Sequence, residues 1–550
     1  MENYKWLKIW PAYLPYTIDY PEYGISNILT VPGKFYSNKD AVIFYGNRLK
    51  YSYIMESARN LASYISDKNI GKGDRVGLMM QNSPQFIISF FAIAESGATI
   101  VLMSPALDLE TARYIKNETG LKMIITTSEV SKIPFELNKE FKIPVVCGSL
   151  NDYINNPEIP VPDFIKEVHE PEGLNWNGAI KSYFPFDEPA SGPDDEALIA
   201  YTSGTTGIPR GCIHTNKTVI ANAMGASYWR RLTSAAIELA AAPLFHVTGL
   251  AFSLLSPIYS GGTVIPLTRW NSEAAIQSIE KFRITHFVSV TPMVIDLLNQ
   301  KNLGSRDFSS IRFIGGGGAA MPEILTEKIE ELFGIPFVEG YGMTEAMGQT
   351  HINPPEHRKL KCIGIPQFGY DAKIIDPENG SVLDSGIGEI VVHGPSVFKG
   401  YLNKPEETRN AFIKIEGKQF LRTGDIGYMD NEGSFFVVDR LKRMINRAGF
   451  KVWPAEIDSL MLKHHAILEA CTVGTPDMRV GEEVKAFIVL RPEYRGRISP
   501  EEIVSWAKTQ IGGYKYPHIV EIVESTPKTA TGKMDWKKLQ DQERNRKEKL

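Results

Sequence analysis

The chain has 550 residues, of which 43% are hydrophobic, 23% charged and 10% aromatic. This composition is typical of a globular protein, and the length exceeds a single hydrophobic core, so we expect several structural units. The 60 Lys and Arg residues nearly balance 64 Asp and Glu residues, which leaves a formal charge of −4. That balance argues against nucleic-acid binding, which requires a clearly basic face.

The sequence also argues against secretion and membrane insertion. Its first twenty residues carry Lys, Asp and prolines without a continuous apolar stretch, so we expect neither a signal peptide nor an anchor. No window reaches the ~18 uncharged apolar residues of a membrane-spanning helix. The cysteines Cys147, Cys212, Cys362 and Cys471 are isolated from one another, which indicates free thiols in a reducing compartment. We therefore predict a cytoplasmic protein without a membrane span.

The first part of the chain alternates apolar strands with helices, the pattern of α/β layering. Residues 74–80 predict a strand, and residues 83–96 predict a helix that Ser83 caps and Pro84 opens. Strand character returns at 99–102 and 123–126. Residues 151–195 are rich in Pro, Asn, Asp and Glu, which predicts a loop between two subdomains.

The alternation resumes after residue 196 and then changes in texture. Strands are predicted at 197–201, 237–241, 263–266, 286–290 and 311–314, with helices at 272–282 and 322–333. Short strands with turns after Gly348 indicate a small β-rich subdomain. The last unit mixes helices at 454–462 and 500–510 with strands at 484–490 and 519–523. We predict an α/β protein with a large N-terminal domain of layered α/β subdomains at 1–440 and a smaller α+β C-terminal domain at 441–550.

The strongest local motif is residues 202–211, TSGTTGIPRG. An apolar strand runs into it, and a helix-like segment follows from Thr215. Its glycines allow close backbone approach to an anion, its hydroxyls donate to phosphate oxygens, and Arg210 adds a cation. The GK[ST] ending of a Walker A loop is missing. The motif therefore predicts a triphosphate cradle formed by Thr202, Ser203, Gly204, Thr205, Thr206, Gly207 and Arg210.

This motif resembles the phosphate loop of the adenylate-forming superfamily, which includes acyl-CoA synthetases, peptide-synthetase adenylation domains and beetle luciferases. The family usually carries Lys where this chain has Arg210. Residues 340–345, GYGMTE, resemble a second family motif. The resemblance implies that Tyr341 stacks on adenine, that Thr344 contacts the α-phosphate, and that Glu345 binds Mg²⁺ with Thr202, the oxygen ligands that this cation prefers.

Further motifs follow in the family order. Residues 315–320, GGGGAA, resemble the strand end that lines the adenine and acyl sites, and residues 422–425, RTGD, resemble the segment whose Asp425 accepts from both ribose hydroxyls. Arg440 would contact ribose or phosphate. The resemblance implies a nucleotide site that also includes Gly317, Gly318, Ala319, Glu339, Gly340 and Gly342.

The resemblance also assigns a hinge, a substrate tunnel and a catalytic lysine. Lys442 would be the pivot of a mobile C-terminal domain. Residues 527–533, PKTATGK, resemble the loop whose Lys533 stabilises the attacking carboxylate and the pentavalent α-phosphate. Lys533, Glu345 and Thr202 are thus the expected catalytic residues. Substrate or CoA contacts are expected at His246, Val247, Gly249, Gly317, Gly342, Gly449 and Lys451.

The implied activity joins a small-molecule carboxylic acid to coenzyme A, with ATP consumed through an acyl-AMP intermediate. Acetate-specific relatives close the pocket with Trp at the position of Gly342, so we expect a larger acid. The segment 6–23 resembles the start of fatty-acid ligases, which favours a medium or long fatty acid. A short functionalised acid such as 4-hydroxybutyrate, an aryl acid, and transfer to a carrier protein stay open. The resemblance also admits a homodimer.

Overall fold

The computed structural model describes residues 4–166, 173–185, 189, 191–202, 209–318, 321–448, 450–511, 513, 515–528 and 534–547. The chain divides into two compact units. Unit 1 comprises Met1–Asp371 and Val392–Leu421, and unit 2 comprises Ala372–Val391 and Arg422–Leu550. The domain division predicted at residues 440 and 441 stays a prediction.

One sheet of unit 1 carries the glycine-rich run. Its central strands are parallel, and its antiparallel edge begins where Arg210–Thr215 folds back on Glu196–Thr202. In spatial order its described strands are Gly400–Tyr401, Arg210–Thr215, Glu196–Thr202, Thr99–Leu102, Arg75–Met79, Met123–Thr127, Val145–Gly148 and Leu174–Asn175.

A second sheet of unit 1 carries the other motifs. Its central strands are parallel, and both edges end in antiparallel pairs. In spatial order its described strands are Ile365–Pro366, Gly348–Ile352, Phe337–Met343, Phe313–Gly317, His286–Ser289, Ile237–Ala240, Thr263–Pro266, Asp40–Phe44 and Asn47–Lys50.

Helices cover these sheets and share with them one large apolar core and a second, smaller one. The helix Pro84–Glu95 is buried on nearly all sides, as expected for a helix that is apolar all round. Ser83 caps it by accepting a hydrogen bond from the Phe86 amide at 3.2 Å. The α-helices described in unit 1 are Asn27–Phe35, Tyr51–Asp67, Pro84–Glu95, Leu109–Thr119, Lys132–Phe141, Asp163–Lys166, Trp176–Lys181, Asn216–Trp229, Ser256–Tyr259, Ser272–Phe282, Thr291–Leu298, Glu323–Phe333 and Pro405–Asn410, with a π-helix at Gly249–Leu255.

Unit 2 has its own core, built on a long antiparallel hairpin of Ile467–Asp477 and Gly481–Leu490. Ile519–Ile522 pairs in parallel with the second of these strands. Its further described elements include three strands that lie mostly in this unit, Asp371–Ile375, Gly388–His393 and Lys418–Met429, the last of which pairs with Phe435–Arg440. The others are the strands Ile445–Arg447 and Phe450–Val452 and the helices Pro454–Met461, Pro500–Gln510 and Trp536–Lys547.

The predicted α/β class with a large first part and a smaller α+β part is confirmed. The four cysteines are buried free thiols, as expected. The loop predicted at 151–195 is wrong in part, because Leu174–Asn175 is a strand and Trp176–Lys181 a helix. Asn175 caps that helix through its side chain, and Trp176 is buried beneath it. The polar composition concealed several buried apolar side chains, among them Ile159, Ile165 and Trp176.

Candidate active site

The glycine-rich run lies between two paired strands. Glu196–Thr202 pairs antiparallel with Arg210–Thr215, and Thr202 lies directly opposite Arg210. The expected helix does begin at Asn216, but a strand separates it from the motif. Ser203, Gly204, Thr205, Thr206 and Gly207 lie outside the described residues.

Two side chains at the ends of these strands have buried polar atoms without hydrogen-bond partners among the described residues. These atoms are Thr202 Oγ1 and Arg210 Nε. A buried polar atom without a partner costs about 1–3 kcal/mol. Such atoms are therefore suited to a polar ligand that supplies the missing contacts, and both flank the run predicted to hold phosphate.

Tyr401 joins this strand pair to the GYGMTE segment. Its strand Gly400–Tyr401 pairs with Arg210–Thr215, which places Tyr401 opposite Cys212. The guanidinium of Arg210 lies 4.4 Å from the centre of the Tyr401 ring, and the Tyr401 hydroxyl donates to Glu345 Oε1 at 2.7 Å. Burial, reinforced by the charge of Glu345, raises the pKa of Tyr401, so the phenol keeps its proton and remains a donor.

Backbone contacts fix the turn that carries Glu345. The turn Thr344–Ala346 contacts the strand Glu196–Thr202. His214 Nε2 lies 2.8 Å from the Thr344 carbonyl oxygen, and the Phe398 amide donates to the Glu345 carbonyl at 2.8 Å. Burial lowers the pKa of His214 to about 4, so its ring is neutral near pH 7 and donates through Nε2. Thr202, Arg210 and Glu345 are thus brought together within unit 1.

Glycines let two strands of the second sheet approach closely. Gly317 lies opposite Gly340, and a Cβ on Gly317 would stand 2.4 Å from the Gly340 carbonyl oxygen. Gly318 has a φ of +84°, which favours glycine. Glu339 accepts from the Met321 amide at 2.9 Å, and burial raises its pKa. Ala319 lies outside the described residues.

Gly342 has a steric reason to lack a side chain. A Cβ there would stand 1.6 Å from the carbonyl oxygen of Gly348, in the backbone of the next strand. The sequence interpretation explained the missing side chain of Gly342 by an open acid pocket, and the structure adds that this strand pair requires a glycine. The neighbouring Tyr341 ring packs edge-on against His351, with centroids 5.7 Å apart.

His246 lies just before the π-helix Gly249–Leu255. Its Nδ1 accepts from the Thr248 amide at 3.2 Å, which places the hydrogen of the neutral ring on Nε2. A Cβ on Gly249 would stand 2.1 Å from the Pro243 carbonyl oxygen, so a glycine is required there. Val247 is buried. A π-helical segment frequently marks a functional site.

Unit 2 holds the residues predicted to bind ribose. Asp425 and Arg440 lie opposite each other on paired strands, and Arg440 Nε lies 2.7 Å from Asp425 Oδ1. Asp425 is almost fully buried, whereas Arg440 is 54% exposed. Lys442 follows within the short turn Leu441–Arg443. Lys451 pairs with Glu378 at 3.0 Å, and both Gly449 and Lys533 lie outside the described residues.

The chain matches the family model described as AMP-binding enzyme over residues 32–402 and that of the AMP-binding enzyme C-terminal domain over residues 456–533. A long-chain-fatty-acid–CoA ligase of Bacillus subtilis (strain 168) is 32% identical over 98% of both chains. A feruloyl-CoA synthase of Amycolatopsis sp. is 31% identical over 89% of this chain and 93% of its own. The solved o-succinylbenzoate CoA synthetase of Bacillus subtilis, in complex with its acyl-adenylate intermediate, has a TM-score of 0.80 and 26% identity, covering 95% of this chain and 98% of its own.

Fold and motifs together define an adenylate-forming enzyme. The chain belongs to the AMP-binding enzyme family, and it is an AMP-forming acyl-CoA synthetase, an acid–thiol ligase. Its substrates are ATP, CoA and a small-molecule carboxylic acid. Within the described part of the chain, no helix is both long and apolar enough to cross a membrane.

Proposed function

We propose that this enzyme activates a medium or long fatty acid as its acyl-adenylate and then transfers the acyl group to CoA. The observation that carries this proposal is that Thr202, Arg210 and Glu345 lie close together in unit 1. Among the described residues, the buried atoms Thr202 Oγ1 and Arg210 Nε have no hydrogen-bond partner, so a polar ligand can supply one. The similarity to a long-chain-fatty-acid–CoA ligase over nearly the whole chain supports the choice of acid.

In the first half-reaction, a carboxylate oxygen of the acid bonds to the α-phosphorus of ATP. The bond from the α-phosphorus to the bridging oxygen breaks, and pyrophosphate leaves with the electron pair. Residues 202–207 and Arg210 hold the leaving phosphates, and Lys533 with Thr344 offsets the charge at the α-phosphate. Tyr341 stacks on adenine between the glycine-rich strand ends, and Asp425 with Arg440 binds ribose.

The residues of unit 1 fit a magnesium ion. Thr202 supplies a buried hydroxyl oxygen that has no hydrogen-bond partner among the described residues, and Glu345 supplies a carboxylate. Both are hard oxygen ligands. The described residues hold no cluster of three or more His, Cys, Asp or Glu that could bind a metal alone. A site completed by substrate phosphates and water is the usual arrangement for this cation. When bound, Mg²⁺ offsets the phosphate charge that develops as pyrophosphate leaves.

In the second half-reaction, the CoA thiolate sulfur bonds to the acyl carbon, and the bond from that carbon to the AMP oxygen breaks. We assign this step to a C-terminal domain of residues 441–550 that rotates about Lys442, withdraws Lys533, and presents Gly449 and Lys451 to CoA. His246, Val247 and Gly249 line the junction between acid and CoA. We further propose a cytoplasmic location and a homodimer.

Relatives with other acids define the second candidate. Both the feruloyl-CoA synthase and the o-succinylbenzoate CoA synthetase act, by their names, on aryl acids. An aryl or short functionalised acid is therefore the alternative substrate class, and loading of a carrier protein is the alternative second step.

A panel of acids tests the substrate and the second step together. The purified enzyme is incubated with ATP, Mg²⁺ and CoA and with hexanoate, decanoate, hexadecanoate, 4-hydroxybutyrate, benzoate or ferulate, and thioester and pyrophosphate are measured. We expect the highest kcat/KM with decanoate or hexadecanoate. A best substrate among the last three acids would reject the fatty-acid assignment. Adenylate without thioester would reject CoA transfer.

Replacing Tyr401 with phenylalanine tests the link between Arg210 and Glu345. The change removes the hydrogen bond to Glu345 and keeps the ring beneath Arg210. Because a hydrogen bond to a charged group contributes about 1.5–3 kcal/mol, we expect the Mg²⁺ concentration for half-maximal adenylation to rise about tenfold or more. Tyr20→Phe, which loses one hydrogen bond to the Phe368 carbonyl, is the matched control. Equal Mg²⁺ dependence in both variants would contradict the proposed link.

A further inference from the structure

The π-helix Gly249–Leu255, called the π-helical wall below, has a break in its hydrogen-bond ladder. A π-helix pairs each carbonyl with the amide five residues on, and the Ser256 amide indeed donates to the Ala251 carbonyl. The next donor in this register would belong to residue 257, which is proline and has no N–H. The sequence therefore leaves the Phe252 carbonyl without its ladder partner.

Side chains replace the missing donor. Arg230 Nη1 donates to the Phe252 carbonyl oxygen at 2.5 Å, and the Ser256 hydroxyl donates to the same oxygen at 3.0 Å. Arg230 Nη1 also reaches the Ser256 hydroxyl oxygen at 3.1 Å. Arg230 follows directly after the helix Asn216–Trp229. A residue outside the π-helical wall therefore supplies the donor that the Phe252 carbonyl lacks within it.

Arg230 is itself held from other sides. Its guanidinium forms an ion pair with Glu238, and both side chains are buried. The His286 ring nitrogen Nε2 lies 3.1 Å from the Arg230 carbonyl oxygen. The guanidinium also lies 5.1 Å from the centre of the Phe313 ring, on the strand that ends in the glycine motif. Since apolar replacements for a buried ion pair are often neutral or stabilising, stability alone does not account for this pair.

Phe252, whose carbonyl accepts from Arg230, places its aromatic ring beside Gly348, next to the proposed acid site. Phe252 ring carbons lie 3.5 and 3.7 Å from the position of a Cβ on Gly348. The carbonyl of Gly348 is the group that stands against Gly342. At its other end, the π-helical wall is joined to His246, whose carbonyl accepts from the Leu250 amide at 2.9 Å.

We propose that Arg230 is a positioning residue for acid selection. By satisfying the Phe252 carbonyl, it fixes the π-helical wall and thereby the place of the Phe252 ring beside Gly348. The ring then limits the width of the acid that enters. This role rests on the proposed function, because it takes Gly342 and His246 as borders of the acid site.

The test compares the double variant Arg230→Met/Glu238→Gln, which removes both buried charges, with the wild type. We expect the ratio of kcat/KM between a narrow acid (decanoate) and a wide acid (ferulate) to change at least fivefold, with the KM for ATP unchanged. Amide hydrogen exchange in the π-helical wall should accelerate about tenfold. Adding Pro257→Ala to the double variant supplies the missing N–H, so it should restore at least half of each change.

Controls separate positioning from a general structural role. Arg283→Met/Asp307→Asn removes a solvent-exposed ion pair of the same unit and should leave every readout unchanged. Phe252→Leu keeps the buried pair intact and should shift the acid ratio in the same direction. An equal loss of activity with all acids, or an unchanged ratio in the folded double variant or in Phe252→Leu, would overturn the proposal. A wild-type enzyme that accepts only aryl acids would reject the proposed fatty-acid substrate but not the proposed role of Arg230. The kcat/KM ratio would then be measured between benzoate and ferulate.

Discussion

Glu345→Gln is expected to lower ATP–pyrophosphate exchange about 10²–10³-fold, the loss typical of one preorganised charge-stabilising group. Two hydrogen bonds hold Glu345 in place, since its side chain accepts from Tyr401 and its backbone carbonyl accepts from the Phe398 amide. Glutamine can keep the Tyr401 contact through its amide oxygen. The variant therefore removes the negative charge that Mg²⁺ requires and leaves the turn in place.

Glu407→Gln is the matched control for this change. Glu407 lies 3.4 Å from Arg210, in the same network, but its side chain is 45% exposed and does not contact Glu345. Exposed ion pairs contribute about 0–1 kcal/mol, so its exchange rate should stay within about fivefold of the wild type. The contradicting result is a similar loss in both variants, because a general change in charge around Arg210 would then explain it.

Local signals in the sequence predicted elements well where capping and periodicity agree. The helix Ser272–Phe282 has the predicted bounds, and Asn271 caps it by accepting from the Ala274 amide. The strand Arg210–Thr215 was missed because its alternation is short and a strong helix follows at once. The antiparallel pairing with Glu196–Thr202 makes it a strand, and that pairing is a tertiary contact that propensity does not encode.

The site was predictable only where a motif names the residue. Motifs predict roles for Thr202, Glu345 and Asp425, but no local signal marked Tyr401, whose partner Glu345 lies 56 positions away in the sequence. Arg230 was missed for the same reason, since its role depends on a carbonyl 22 residues away. Long-range hydrogen bonds of this kind leave no periodicity, so they emerge only from the folded chain.

Steric requirements of glycine are equally hidden. A glycine is favoured both where a pocket must stay open and where two strands approach closely. Gly342 is required for the second reason, because a Cβ there would clash with the Gly348 carbonyl. A tryptophan introduced at Gly342 would thus displace the neighbouring strand before it could fill any pocket. Phe252 is the better position for testing acid width, since its ring already lies beside Gly348.

Lys533→Ala is expected to separate the two half-reactions. The described residues on either side of the Lys533 segment meet in unit 2, where Lys528 pairs with Met534 and the Asp535 amide donates to the Pro527 carbonyl at 2.9 Å. The ammonium group of a lysine is a compact positive charge that can offset negative charge at the α-phosphate. Its removal should lower pyrophosphate exchange about 10²–10³-fold. The rate of thioester formation from synthetic acyl-AMP and CoA should stay within about twofold of the wild-type rate, because this step releases no pyrophosphate and so needs no charge to stabilise it.

Lys528→Ala is the control that makes this result specific. Lys528 belongs to the same motif, but its ammonium pairs with Glu469 at 2.9 Å within unit 2. It should therefore affect neither half-reaction by more than about threefold, the range of an exposed ion pair. If Lys533→Ala slowed both half-reactions equally, the lysine would act through the fold of the loop. If it slowed only the reaction with CoA, the assignment to adenylation would be wrong. A loss confined to pyrophosphate exchange fits a residue that serves the first half-reaction and is withdrawn before the second.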